Sequence, residues 1–326
     1  MAMSTSVTAP SLPFWLRPIG WVGKSVIGVL SYLGGVAALM ISAAVSLLTF
    51  PRDDDLPGFW TVLKEELWWL LLMGAPLVGL VHVAMGSFLS MQAYFGSTFL
   101  DGTGAVVGVG LLRNLATLMT GLTLSGLMAC RLIPGRLGQG QGPAASTGPA
   151  TGTRFPAVSN HPGATSDEPQ QLPAPGRLAA PRMIATALAS MLLALWGFGV
   201  GTVVGWQAAS SLLGLPSDMY FLMFYRMIWF RDVVGMIVKG LLFGLVPATI
   251  CCFEALRAAR LSAGETSGRT APASGDCSAP LDLAAPIVRA ACLSMMSILL
   301  LNMTWFMLVY HAVPVYGPSL LQPPTP

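Results

Sequence analysis

Two cations stand inside stretches that otherwise carry no charge. Arg113 lies in an apolar run from about Gly104 to Cys130, and Lys239 lies in another from Val233 to Phe253. A charged side chain held within hydrocarbon is costly and is kept for a reason. No acidic residue shares the interior of either run; Asp232, about two turns before Lys239, falls at the interface. At 1.5 Å per residue, Arg113 sits about 15 Å and Lys239 roughly 10 Å below the outer ends of their helices. Cations without a carboxylate suit an anionic ligand, such as a lipid phosphate or carboxylate. The competing expectation is structural: both side chains snorkel or bind backbone carbonyls.

Other residues able to do chemistry give weaker signals. His82 falls mid-span without a nearby acid, which points to packing before proton relay. Cys130, Cys251, Cys252, Cys277 and Cys292 form no CxxC pair and no cluster with histidine, so no zinc or other metal site is expected. Asp53-Asp54-Asp55 reads as a solvated turn, since nothing else converges on it. Walker A, HExxH and GxSxG signatures are missing, so no catalytic residue and no cofactor is expected. Glu65 and Glu66 stand at a helix start, with no histidine or arginine placed beside them for proteolysis.

The elements that carry these residues are set by composition. The chain has 326 residues, of which 54% are hydrophobic and 10% charged; soluble domains carry about 25% charged residues. Long uncharged runs without alternation mean membrane-spanning helices rather than a barrel. The net charge of +3, spread over loops, suggests no nucleic acid partner. The N-terminus, Met1–Pro13, lacks the basic flank and cleavage site of a signal peptide and is expected to be retained.

In order, residues 1–24 form a tail and interfacial element, followed by an apolar run from Val26 to Phe50. Leu67 to Cys130 is a transmembrane hairpin broken around Asp101, with Trp68 and Trp69 placed for an interfacial belt. Residues 131–180, rich in Pro, Gly and Ala, read as a disordered loop. Further spans are expected from about Met183 to Leu213, Val233 to Phe253 and Ala290 to Tyr310, and residues 311–326 form a tail. Between two of these spans, Pro216 to Asp232 mixes aromatic and basic residues as an interfacial helix does. Arginines concentrate in 131–182 and 257–289, which the positive-inside rule places in the cytoplasm. The run 26–50 then either spans or enters the inner leaflet and returns. The second arrangement keeps both of its ends in the cytoplasm and gives an all-α polytopic protein with five transmembrane helices plus an N-terminal interfacial or re-entrant helix.

The hairpin resembles the MlaE/YrbE family of ABC-transporter permeases, the membrane subunits that work with Mce-domain lipid-binding proteins. Met85-Gly86 through Gln92-Ala93-Tyr94 resembles the family's Gly…Gln-Gly/Ala-Tyr helix end, and Leu111-Leu112-Arg113-Asn114-Leu115-Ala116 resembles its Leu-Leu-Arg-Glu-Leu-Gly. Ala180-Pro181-Arg182, Asp232 through Gly244, Ile250 through Leu256, and Pro286-Ile287-Val288-Arg289 follow in the family's order. The resemblance implies a permease domain over 25–310, interrupted by the 131–180 loop. It also implies a multi-pass inner-membrane location and substrate contacts from Arg113, Lys239, Gln92 and Tyr94. The partners it implies are an ATP-binding ABC ATPase subunit, a second permease subunit (itself or a paralogue), an Mce-domain protein and membrane lipids. Two departures stand out. Asn114 replaces the family's glutamate, and Ser125 to Cys130 lacks its arginine before a loop that replaces the ATPase-docking helix. The alternative expectation is therefore a non-transporting scaffold or regulatory subunit that has lost ATPase coupling.

Overall fold

The computed structural model describes residues 17–49, 56–96, 103–137, 175–266 and 279–311. Every described element is helical: α1 (Arg17–Thr49), α2 (Leu56–Gly96), α3 (Thr103–Gly110), α4 (Ala116–Leu137), α5 (Pro175–Leu213), α6 (Ser217–Met227), α7 (Phe230–Thr266) and α8 (Ala279–Phe306). A π-helical turn, Leu111–Leu115, joins α3 to α4, and a second, Met307–His311, ends α8. The Asp53–Asp55 turn, the break at Asp101, Cys277, most of the N-terminal tail and the C-terminal tail beyond His311 lie outside the described residues. Of the stretch expected to be a disordered loop, residues 131–137 and 175–180 are helical, while 138–174 lie outside the described residues. Arg131 continues α4 because it is drawn onto Glu66, and Pro175 opens α5, where a missing N–H costs nothing.

Cross-contacts fix the helix directions. Gly74 of α2 faces Leu193 of α5, Gly86 faces Gly201, and Ser90 Oγ donates to the Gly205 carbonyl at 2.7 Å, so α2 and α5 run parallel. Lys239 reaches Arg113 and Phe243 packs at Gly121, so α7 runs parallel to the π turn and α4. Thr186 of α5 meets Met128 of α4 while Gly201 faces Leu111 of the π turn, so the π turn and α4 run antiparallel to α5. Trp305 lies over Gly235 and Ser294 meets Cys251, so α8 runs antiparallel to α7. The bundle thus has a Glu66 end, with Arg131, the start of α5, Glu254 and Arg289, and an Arg113 end, with α3, α6 and Asp232. One apolar cluster, including Leu70, Leu124, Met128, Leu193 and Ala248, fills the half toward Glu66. A second, including Leu111, Ala209, Tyr220, Phe224 and Met236, fills the Arg113 end.

Six helices are long and apolar enough to cross a membrane: the five of the bundle (α3 and α4 counted as one) and α1, over Val22–Leu48. The protein is an all-α, polytopic membrane protein. Exposed Leu80, Phe88, Leu300 and Met303 belong to the apolar surface such a bundle offers to lipid. The bundle contacts of α1 come from its middle. Tyr32 and Gly35 meet Phe253, and Ser42 meets Gly176, the second residue of α5. All fall at the Glu66 end, the position of a helix lying across the end of the bundle rather than threading it. The re-entrant alternative is corrected: α1 is one continuous 33-residue helix, without the turn that would send it back.

Candidate functional site

The two cations singled out from the sequence are brought together by α7. Lys239 extends its stem toward the Arg113 end, where Nζ donates to the Arg113 carbonyl at 3.2 Å and to Asn114 Oδ1 at 3.1 Å. The carbonyl is available because the π turn re-pairs its backbone as i→i+5, with Ala116 N–H bonding Leu111 O. Thr117 Oγ1 meets the next carbonyl, that of Asn114, at 3.3 Å. Lys239 lies over the Phe243 ring at 5.3 Å and is only 2% exposed. The lysine is therefore occupied in holding α7 to the π turn, and its charge does not reach the surface.

Arg113 has the partner that the sequence denied it. Its Nε donates to Asp232 Oδ1 and its Nη2 to Asp232 Oδ2, both at 3.0 Å, a bidentate fork. Asp232, 1% exposed, occupies the first turn of α7, where a carboxylate complements the helix dipole, and it also accepts the Trp229 N–H at 3.2 Å. The expectation of a cation without a carboxylate fails because α4 and α7 run parallel. Seven residues separate Asp232 from Lys239 along α7, so one helix supplies both the acid for Arg113 and the ammonium for the backbone behind it. The arginine side chain keeps 27% of its surface exposed. With two cations and one carboxylate, the constellation carries a net charge of +1 among these groups.

Gln92 is exposed on α2, one turn from Leu89, whose side chain lies against Gly110 just before the π turn. The backbone of Tyr94 belongs to α2; its side chain lies outside the described residues. His82 is fully buried against Gly197. Its Nδ1 donates to Val78 O at 2.7 Å, and its Nε2 has no hydrogen-bond partner, an arrangement suited to packing. At the same end, α6 stacks Tyr220, Phe221, Phe224 and Tyr225 beneath Trp206 and Phe198. It approaches α3 closely enough that Gly104 and Gly108 admit no Cβ without displacing Tyr220 and Phe224. Burial pushes the Tyr220 phenol well above its ordinary range.

Two ion pairs and one hydrogen-bond partner escaped the sequence reading. Arg131 lies over the Trp69 ring at 3.9 Å and donates to Glu66 Oε2 from Nη2 at 2.9 Å, tying α4 to α2. Arg289 of α8 donates from Nε to Glu254 Oε2 of α7 at 3.1 Å, with Arg257 at 4.0 Å from the other oxygen. Asn114, noted only as a departure, accepts from Lys239. Each pair joins helices distant in sequence, so spacing along one run could not reveal it. Among the described residues no cluster of histidine, cysteine and carboxylate is placed to hold a metal.

The model of one family, described as permease MlaE, matches residues 170–271, which run from just before α5 to just beyond α7. No curated protein matches the chain.

Proposed function

We propose, from the match of the MlaE permease family model to residues 170–271, that the chain is the permease subunit of an ABC-type lipid transport system that works with Mce-domain proteins. That match is the observation that carries the reading. The matched segment contains Asp232 and Lys239, the α7 side of the constellation around Arg113. A transport subunit needs no chemistry of its own, and ATP would be hydrolysed by a separate ATPase subunit. The basic Glu66 end, with Arg131, Arg182, Arg257 and Arg289, faces the cytoplasm of an inner membrane on this reading. The Arg113 end faces outward, toward an Mce-domain partner.

Lipid would lie at the seam with a second permease subunit. Arg113, partly exposed and held by Asp232, is the head-group contact in this account, with Gln92 and Tyr94 on the neighbouring helix. Lys239 supports it from behind. An anionic head group would share the guanidinium of Arg113 with Asp232 or displace Asp232 from it. A second reading, a scaffold without ATPase coupling, draws on the missing arginine between Ser125 and Cys130.

Purifying the tagged full chain from its own membrane tests the proposal. A stoichiometric ATPase together with an Mce-domain protein supports transport. An Mce-domain protein without any ATPase favours the scaffold, and neither partner contradicts both.

A further inference from the structure

At the Glu66 end, two arginines converge on one carboxylate. Glu254 of α7 is fully buried and takes two donors of Arg289 on Oε2, from Nε at 3.1 Å and from Nη2. Arg257, one turn further along α7, brings Nη1 to 4.0 Å from Oε1 without forming a hydrogen bond. One negative charge therefore answers two positive ones. The arginine side chains remain 48% and 45% exposed, so unused guanidinium donors point away from Glu254. Planar guanidinium forks of this kind match the oxygens of a phosphate.

The surface beyond the arginines is apolar. On α8 the face that begins at Arg289 continues through Cys292, Met296, Leu299 and Met303, all exposed. Steps of three and four residues keep them on one side of the helix. From Arg289 to Met303 this stripe runs about 21 Å at 1.5 Å per residue. One leaflet of a 30 Å hydrocarbon core needs about 15 Å. Methionine side chains are unbranched and adaptable, and suit a flexible chain lying along them.

We infer that Arg257 and Arg289 form a binding site for the phosphate of an anionic phospholipid, whose acyl chain lies along the exposed face of α8. The lipid belongs to the leaflet at the Glu66 end, opposite the Arg113 constellation. The inference rests on placing the bundle in a membrane and is independent of transport, so it stands or falls apart from the permease reading.

Native mass spectrometry of the full chain, released from detergent with phosphatidylglycerol, phosphatidylcholine or inorganic phosphate, tests it. The expected result is preferential retention of phosphatidylglycerol, reduced about five-fold in Arg257→Gln, the effect of removing one surface cation from an anionic lipid. Arg257→Gln is the deciding variant because Arg289 stays on Glu254 and keeps the buried carboxylate paired; Arg257→Lys should retain most of the preference. Equal retention of the two lipids would overturn the inference, as would undiminished phosphatidylglycerol in Arg257→Gln. So would inorganic phosphate that phosphatidylglycerol does not displace, or a lipid-free dimer of the chain.

Discussion

Asn114 shows how one residue sets the character of the constellation around Arg113. Its side-chain oxygen is a neutral acceptor for Lys239, where the MlaE-like motif carries glutamate. Replacing it with glutamate places a carboxylate against a buried ammonium, and the folded state gains a charge-assisted hydrogen bond worth about 1 kcal/mol more than the present one. Asn114→Glu should therefore raise the melting temperature of the purified chain, whereas Lys239→Ala should lower it. That truncation leaves the Arg113 carbonyl and Asn114 without their donor and opens a cavity, at a cost of about 3 kcal/mol. Asp232→Asn should be comparably damaging, because it strips the Arg113 fork of its charge in a buried setting. A double-mutant cycle over Arg113 and Asp232 should return a coupling of about 1–3 kcal/mol. The cations themselves were legible in the sequence as charges within apolar runs. Their partners were not, since pairing Arg113 with Asp232 depends on two helices 119 residues apart running side by side in parallel.

Helix packing in lipid depends on close approach, and the glycines of this bundle divide sharply by what they face. A Cβ at Gly86 would collide with the Gly201 carbonyl of α5, and one at Gly244 with the Thr186 carbonyl and the Ser190 side chain, whereas one at Gly126 meets open space. Gly86→Val and Gly244→Val should thus collapse the yield of folded protein. Gly126→Ala should change stability by no more than about 0.5 kcal/mol, measured by thermal unfolding in detergent. Which glycines carry a contact could not be read from the sequence, because glycine has no side chain to reveal its face. The helices were legible from length and composition, since hydrocarbon admits little else. The placement of α1 was less so: its 33 residues are long enough to span, and only its contacts with Gly176 and Phe253 set it across the bundle end. Single cysteines at Ser25 and Ser46, in a background without native cysteines, should label from the same side of the membrane. Labelling from opposite sides would make α1 a span.

At the scale of the molecule, ion pairs link the bundle from one side to the other. Glu66–Arg131 joins α2 to α4, Arg113–Asp232 joins the π turn to α7, and Glu254–Arg289 joins α7 to α8. The last two involve α7, and they lie at opposite ends of it. One helix, α7, thus anchors the bundle at both ends, to the π turn and to α8. Fold class and family resemblance were readable from the chain alone, because hydropathy and ordered motifs survive divergence. How such a subunit would be driven was not, because residues 138–174, where the resemblance expects a docking helix, carry no matching motif. The most direct measurement is ATP-dependent transfer of fluorescent phospholipid between proteoliposomes carrying the complex purified on this chain and acceptor Mce-domain protein. The account predicts transfer that requires ATP and falls at least about ten-fold in Arg113→Ala, the loss of one charge-assisted head-group contact. Transfer that is absent, or that proceeds equally without ATP and without Arg113, would contradict it.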